Sequence, residues 1–278
     1  MIVADDSLQN RLISLYYPHI HKLFTRLSIF GKPRDVSLAD NYVRWAVQCS
    51  DVAPFTLMSR LRKETQELDE LDMAAECLDH MVAGIDTTGD TLCFLMWELS
   101  QPRSMQYQRT LSEELRHNPT SPVDQLPFLD AVVNEALRCF PAIPMSLPRV
   151  VPQGGRIIDG LRVPQQTVVS SQPFSVHHMN QDIFPEPTSF NPHRWLVDHG
   201  DVERRRHLFA FSTGGRGCIG RHLAMMEMKI LLREVYRDFS TYPDPSMTQE
   251  SMATSDQLIS TRPRDHRCLL NFHALADV

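Results

Sequence analysis

Residues 68–99 contain apolar side chains that recur at helical intervals over about eight turns. A helix of this length, apolar on much of its circumference, is stable in water only where other parts of the chain cover it. The segment therefore predicts the central helix of a large domain. The recurring residues are Leu71, Met73, Ala74, Cys77, Leu78, Met81, Val82, Ile85, Leu92, Phe94, Leu95 and Leu99.

Other stretches of the chain predict shorter helices and a small β part. Apolar residues recur at helical spacing in most of them, and Pro54, Pro102 and Pro141 mark breaks. The Asp159-Gly160 dipeptide between two short apolar runs indicates a hairpin with a tight turn. The predicted fold class is mainly α with a small β part. The predicted helices are residues 11–30, 38–50, 55–64, 68–99, 102–117, 124–139 and 218–238, the predicted strands are 157–158, 161–163 and 167–169, and residues 171–215 are a meander with little periodicity.

The composition excludes several classes of function. With 42% hydrophobic residues among 278, the chain can bury a sizeable core, and its net charge of −6 gives no reason to expect a nucleic-acid partner. The six cysteines are scattered without CxxC pairs, which indicates reduced thiols inside the cell. The twelve histidines, including His177 and His178, lack the spacing of a zinc site and are expected in loops or at the surface. The N-terminus has no signal or anchor pattern, and we expect no membrane span in this chain.

Residues 211–220 read FSTGGRGCIG and bring Cys218 to the start of a predicted helix. Free backbone N–H groups and the partial positive charge of a helix N-terminus favour a thiolate there. The glycines allow turns with positive φ and a close approach to a flat ligand. The loop therefore indicates a thiolate ligand for haem iron. The alternative, from these residues alone, is a glycine-rich loop with a buried structural cysteine.

Residues 83–88 read AGIDTT and place a glycine, a carboxylate and two hydroxyls in the middle of the long apolar helix. Glycine lowers helix propensity, and unpaired polar groups are costly to bury. The motif therefore indicates a functional site. The alternative is that Thr87 and Thr88 bond to carbonyls one turn earlier while Asp86 faces solvent.

Glu135 and Arg138 lie one turn apart on a predicted helix. Such pairs are common on exposed helices, where they contribute only a few tenths of a kcal/mol. The string PHRW at residues 192–195 provides a further arginine, Arg194, as a candidate third member.

The order of these motifs resembles that of the cytochrome P450 family of haem-thiolate monooxygenases. Residues 211–220 match the family pattern FxxGxRxCxG at every fixed position, and residues 83–88 match AGxDTT. Residues 135–138 resemble the ExxR helix, and residues 192–194 resemble its later Pro-x-Arg partner, with His193 in place of the glutamate often found there.

The resemblance implies a role for each motif residue. Cys218 is the axial ligand of haem iron, Phe211 covers the thiolate side, and Arg149 and Arg216 bind the haem propionates. From its residues alone, Arg149 remains open to a second interpretation as a solvated turn residue.

The remaining motif residues are assigned by the same resemblance. Gly84 opens the long helix for dioxygen, Thr87 holds oxygen and a water by hydrogen bonds, and Asp86 relays protons. The members of a buried charge-assisted network that pins the meander beneath the haem are Glu135, Arg138 and Arg194.

The resemblance covers residues 10–278 and implies a single domain with the P450 fold, without the N-terminal helices and first sheet strands of that fold. We therefore expect a truncated member, a partial gene model or a split protein. The parts of the predicted domain are a helical region (10–67), the oxygen-activation helix (68–99), the ExxR helix (124–139), the meander (171–215) and the haem-binding loop and helix (211–238).

The implied activity is the insertion of one oxygen atom of O2 into an apolar small molecule, in fungal-type secondary metabolism, with electrons from an NADPH-dependent cytochrome reductase. The alternative is a catalytically incompetent fragment of the family that acts as a binding or regulatory protein or has no function. The expected location is intracellular, at the endoplasmic reticulum surface if a full-length form carries an anchor and otherwise in the cytoplasm.

Basic residues near the cysteine loop suggest a docking face for an acidic electron-donor protein. A solvated run of charge is the alternative interpretation. The residues concerned are Arg204, Arg205, Arg206, Arg221, His222 and Lys229.

Overall fold

A computed structural model describes residues 13, 17–26, 37–49, 51–64, 68–255 and 261–276. The chain divides into two compact units, Met1–Asp86 and Thr87–Val278. Within the described residues the secondary structure is mainly helical with small antiparallel sheets, as the sequence predicts. The α-helices are α1 (Pro18–Arg26), α2 (Ser37–Gln48), α3 (Leu57–Glu64), α4 (Glu70–Leu99), α5 (Met105–His117), α6 (Pro127–Cys139), α7 (Pro173–Met179), α8 (Asp201–His207) and α9 (Arg221–Tyr236).

The first unit has a small core between α2, α3 and the N-terminal half of α4. Val43 and Val47 of α2 are buried there with Met58 of α3 and Ala74 of α4. The helix predicted over residues 11–30 is described only in part, as α1, and the rest of that prediction lies outside the described residues.

The long helix predicted over residues 68–99 is present as α4 and begins one residue after Asp69. Asp69 Oδ1 accepts a hydrogen bond from the backbone N–H of Asp72 at 2.8 Å, which satisfies one of the free donors at the helix N-terminus. None of the helices in the described part of the chain combines the length and the hydropathy needed to cross a bilayer.

The second unit has the main core, formed by the C-terminal half of α4 with α5, α6 and α9. Most of the length of helix α6 is buried in this core, because apolar residues cover more than one face of the helix. Its N-terminus is capped from α5, since the Glu114 carboxylate accepts hydrogen bonds from the N–H groups of Phe128 and Leu129, each at 2.8 Å. The fully buried core residues are Leu95, Leu99, Leu111, Leu115, Leu129, Val132, Val133, Ala136, Leu232 and Tyr236.

The strands of the second unit form four antiparallel pairs, β1 with β4, β2 with β3, β5 with β8 and β6 with β7. The predicted hairpin is confirmed, because Asp159 and Gly160 between β2 and β3 have φ angles of 48° and 75°, as a tight turn of type I′ requires. The strands are β1 (Leu147–Val150), β2 (Arg156–Ile158), β3 (Leu161–Val163), β4 (Val168–Ser171), β5 (Phe239–Pro243), β6 (Thr254–Ser255), β7 (Arg262–Pro263) and β8 (Leu270–Ala274).

The segment over residues 171–215, predicted as a meander with little periodicity, contains short helical pieces. They are α7, α8 and 3-10 turns at Pro192–Leu196 and Gly214–Arg216. These pieces are too short to show a helical period in the sequence, which is why periodicity missed them. The segment lies against α6, the central helix of the site described next.

Candidate functional site

Glu135 and Arg138 project from α6 into a completely buried cluster, each with 0% of its side chain exposed. Two parallel hydrogen bonds join them, from Arg138 Nε to Glu135 Oε2 at 2.9 Å and from Arg138 Nη2 to Glu135 Oε1 at 2.8 Å. The pair is therefore not the ordinary exposed pair that its spacing alone allows. A bidentate pair with both partners buried has a defined geometry and a high cost of disruption.

Three groups from the Pro192–Leu196 turn and its approach complete the coordination of the Glu135 carboxylate. Arg194 Nε donates to Oε1 at 3.1 Å, and the backbone N–H of Asn191 donates to the same oxygen at 2.8 Å. The indole Nε1 of Trp195 donates to Oε2 at 2.9 Å. The thiol of Cys139 also donates to Oε1, at 3.7 Å, so the carboxylate accepts six hydrogen bonds. The structure brings Glu135, Arg138 and Arg194 together.

The two arginines in turn bind backbone carbonyls of the preceding loop. Arg138 donates to the carbonyl of Pro187 at 2.6 Å and to that of Ser189 at 3.0 Å. Arg194 donates to the carbonyl of Pro185 at 2.9 Å. Side chains of α6 and the turn therefore fix the course of residues 185–195.

The charged form of Glu135 is favoured inside this cluster. Burial alone raises the pKa of its carboxyl, but the hydrogen bonds and positive charges of Arg138 and Arg194 outweigh burial and lower the pKa below its usual value. At the neighbouring Cys139, burial and the negative charge of Glu135 outweigh the positive charges of Arg138 and Arg194 and raise the pKa of the thiol well above its usual range. Cys139 is therefore a neutral thiol.

His177, which the sequence analysis placed in a loop or at the surface, is fully buried on α7, with 0% exposed. Its Nδ1 lies 2.9 Å from the backbone carbonyl of Arg138, and its Nε2 accepts the backbone N–H of Phe209 at 2.8 Å. Burial lowers the pKa of His177 to about 3, because a charged imidazolium is poorly solvated there and Arg138 adds like charge. The ring is therefore neutral at physiological pH.

The glycine-rich segment forms a tight loop before α9. Its 3-10 turn at Gly214–Arg216 is closed by a hydrogen bond from Gly217 N–H to the Gly214 carbonyl at 3.0 Å, and Gly214 has a φ of 66° that favours glycine. The backbone N–H of Cys218 donates to the carbonyl of Phe211 at 2.9 Å. That bond brings Phe211 and Cys218 together across the loop.

Cys218 is exposed, which contradicts the alternative of a buried structural cysteine. Arg216, two residues earlier, is exposed as well, and a Cβ atom at Gly214 or Gly215 would find no heavy atom within 4 Å. Phe211 is half-buried and packs against the main core. An accessible sulfur, a nearby guanidinium and an open glycine surface fit a flat group that carries a metal and carboxylates.

Arg149, the other propionate candidate, lies on β1 and is exposed. Its Nη1 donates to the carbonyl of Pro148 at 2.8 Å, which is a local contact. Its assignment to a propionate stays a prediction.

The AGIDTT motif lies within α4 as predicted. Asp86 and Thr87 are half-buried and Thr88 is buried, whereas Ile85 is 63% exposed and a Cβ atom at Gly84 would meet nothing within 4 Å. An apolar side chain and a bare backbone therefore lie at the surface beside the polar positions of this helix. The roles of Gly84, Asp86 and Thr87 stay predictions.

The prediction of a basic docking face is wrong for two of its residues, Lys229 and Arg204, because both are buried. Lys229 is 4% exposed and binds two carboxylates, Asp124 Oδ1 and Asp130 Oδ1, each at 2.9 Å. Although burial alone lowers the pKa of Lys229, these hydrogen bonds raise it above its usual value. Arg204 is 8% exposed and donates to backbone carbonyls at His199 and Val197.

Comparison with known proteins assigns the chain to a family. The sequence profile of the cytochrome P450 family matches residues 34–269. This chain belongs to the cytochrome P450 family.

Several curated proteins that the chain resembles come from fungi. The chain is 37% identical over 177 residues to cytochrome P450 monooxygenase hkm5 of Aspergillus hancockii, an alignment that covers 60% of this chain and 34% of the relative. It is 33% identical over 214 residues to cytochrome P450 monooxygenase stcB of Emericella nidulans, covering 74% of this chain and 41% of the relative. It is 36% identical over 165 residues to a pisatin demethylase of Fusarium vanettenii, covering 56% of this chain and 32% of the relative. The chain thus spans about a third to two fifths of the length of these curated relatives.

Proposed function

We propose that this chain acts in haem-thiolate monooxygenation, with Cys218 as the ligand of haem iron. The observation that carries the proposal is the exposed Cys218 sulfur on a glycine-rich loop, in a chain that matches the cytochrome P450 profile over residues 34–269. The names of the relatives from Aspergillus hancockii and Emericella nidulans, both monooxygenases, support the reaction class.

The residues of this chain have distinct roles in the proposed reaction. When bound, haem supplies the redox chemistry that cleaves dioxygen, and a thiolate ligand favours that cleavage. Cys218 provides the thiolate, while Arg216 and Arg149 pair with the propionate carboxylates through parallel N–H donors. Thr87 donates a hydrogen bond to oxygen or water, and Asp86 transfers protons as a general acid.

The overall reaction balances with an external electron donor. One atom of O2 enters a C–H bond of an apolar substrate, and the other leaves as water after the uptake of two electrons and two protons. The electrons come from NADPH through a cytochrome reductase. A role in fungal secondary metabolism is part of the proposal and is supported by the fungal source of the relatives.

The proposed cellular location is intracellular. All six cysteines of the chain are free thiols, which is typical of a reducing compartment. Attachment to the endoplasmic reticulum surface stays a prediction for a form that carries an anchor.

The second candidate function is a family member that binds a partner or haem without turnover. The chain spans 34% and 41% of the first two relatives, so the activity of a whole family member is part of the proposal. The two candidates differ in whether the iron is held by a thiolate and then supports substrate oxidation.

Spectroscopy of the haem-reconstituted chain tests the proposal. Reduction under carbon monoxide is expected to give the red-shifted Soret band of a thiolate-ligated complex. Cys218→Ala abolishes that band, whereas Cys49→Ala, which alters a half-buried cysteine of the first unit, retains it. A wild-type spectrum typical of a neutral thiol or histidine ligand contradicts the proposal and supports the second candidate.

A further inference from the structure

His177 connects two segments of the second unit that are far apart in the sequence. Its Nδ1 lies 2.9 Å from the carbonyl of Arg138, 39 residues away on α6. Its Nε2 lies 2.8 Å from the backbone nitrogen of Phe209, 32 residues away in the opposite direction along the chain. No part of the ring is exposed, so water does not compete for either bond.

The partners determine the tautomer of the ring. A carbonyl only accepts, so Nδ1 carries the proton and donates it to the Arg138 carbonyl. A backbone amide only donates, so the Nε2 lone pair accepts the Phe209 N–H. A neutral imidazole with one donor and one acceptor on opposite sides satisfies both groups, and few other side chains do so.

Phe209 begins the backbone path that leads to the cysteine. Its carbonyl accepts the N–H of Ser212 at 3.0 Å, and the carbonyl of Phe211 accepts the N–H of Cys218 at 2.9 Å. Consecutive hydrogen bonds therefore extend from His177 through Phe209 to the Cys218 loop. The other end of this path is fixed, because Arg138 is held by the buried Glu135 carboxylate.

We propose that His177 is a positioning residue for the cysteine loop, holding Phe209, and through it the backbone at Cys218, in register with α6. The inference rests on the proposed function only where it takes Cys218 as the iron ligand. The hydrogen bond from the Phe209 N–H to His177 Nε2 is the contact on which this role depends, because through it the imidazole links α6 directly to the loop.

Substitution of His177 by asparagine or by glutamine distinguishes the effects of the two hydrogen bonds that the ring makes. In His177→Asn the amide reaches the position of Nδ1 and keeps the bond to the Arg138 carbonyl, but it leaves the Phe209 N–H unpaired. In His177→Gln the longer side chain brings an amide oxygen to the position of Nε2 and keeps an acceptor for Phe209. His177→Phe removes both bonds while it fills similar space.

Hydrogen exchange of the chain without haem gives the first measurement. Amide exchange in residues 209–218 is expected to be at least about fivefold faster in His177→Asn and His177→Phe than in the wild type, and His177→Gln is expected to lie closer to the wild type. His178→Phe is the matched control, because His178 is on the same helix and its Nδ1 contacts the Phe174 carbonyl of that helix. Thr241→Val is the control for lost stability, since Thr241 is buried and bonds to Ser100 and Tyr236.

The order of the variants decides the inference. The positioning role is overturned if amide exchange in residues 209–218 is no faster in His177→Asn than in His177→Gln. It is also overturned if that exchange is no faster in His177→Asn than in Thr241→Val when the two variants have the same free energy of unfolding. If His177→Phe does not fold, the Asn and Gln variants alone give the comparison.

Haem-loaded protein provides the second measurement. We expect a smaller thiolate-ligated fraction of the carbon monoxide complex in His177→Asn than in His177→Gln. If the wild type forms no thiolate complex, the proposed function fails, and the exchange comparison still decides the role of His177.

Discussion

The indole Nε1 of Trp195 donates a hydrogen bond to Glu135 Oε2 at 2.9 Å, across 60 residues of sequence. Trp195 is 4% exposed and Glu135 is completely buried, so this contact forms away from water. The same carboxylate oxygen also accepts Arg138 Nε at 2.9 Å. The carboxylate of α6 therefore holds both an arginine of its own helix and the turn that carries Arg194.

We expect Trp195→Phe to lower the free energy of unfolding by about 2 to 4 kcal/mol, because it removes a hydrogen bond to a buried carboxylate and part of a buried ring. Urea denaturation measures the change. Trp97→Phe is the control, since it removes the same atoms from a different core cluster. Equal losses in the two variants contradict a specific contribution from the bond to Glu135.

Glu135→Gln is expected to be the most destabilising single change in this cluster, at about 3 to 5 kcal/mol, because it leaves Arg138 and Arg194 buried with an uncompensated charge. The unfolding midpoint of the purified chain, or the yield of folded protein, measures the effect. In Glu203→Gln, which alters a half-exposed partner of Arg206, the change is expected to stay within about 0.5 kcal/mol. Similar unfolding midpoints for Glu135→Gln and Glu203→Gln would contradict this prediction.

From its residues alone, the sequence identified those parts of the site whose partners are close in sequence, and the family resemblance added Arg194, 59 positions from Glu135. The spacing of Glu135 and Arg138 places both on one helix turn, and the hairpin at Asp159 follows from the conformational preference of Asp-Gly. These features depend on local geometry, which a single sequence contains.

The contributions of Trp195 and His177 were missed because they depend on distant partners. Trp195 bonds to a residue 60 positions away, and His177 bonds to residues 39 and 32 positions away. Histidine and tryptophan also occur in many surroundings, so their residue type does not predict burial. For Lys229 the general rule that lysine is exposed gave the wrong answer, since two aspartates compensate its burial.

Lys229→Met is expected to cost about 1 to 2 kcal/mol, less than Glu135→Gln. The aspartates that lose their partner stay partly hydrated, since the side chain of Asp124 is 64% exposed and that of Asp130 is 29% exposed. Chemical denaturation measures the difference. Arg206→Met is the control, because its side chain is 76% exposed and its removal is expected to change stability by less than about 0.5 kcal/mol. An equal loss in the free energy of unfolding for Lys229→Met and Arg206→Met contradicts the burial of Lys229 between the two aspartates.

Stability is expected to fall as the pH decreases from about 6.5 to about 3, in part because of His177. Its pKa is lowered from 6.5 in the unfolded chain to about 3 in the folded one, so in this range the unfolded state binds a proton that the folded state does not. The free energy of unfolding therefore rises with pH through the window and is constant, for this group, above it. The group adds a slope of up to about 1.4 kcal/mol per pH unit.

His177→Gln isolates this contribution, because glutamine does not titrate. Unfolding of the wild type and of the variant is measured by denaturant at several pH values between 3 and 7, and the difference between the two is the readout. The wild-type advantage is expected to be largest near neutral pH and to shrink by about 4 kcal/mol toward pH 3, since only the wild type takes up the extra proton on unfolding. In His178→Gln, which alters a half-buried neighbour, the change is expected to be smaller. A pH-independent difference between the wild type and His177→Gln contradicts a neutral, buried His177 and with it the hydrogen bond that Nε2 accepts from Phe209.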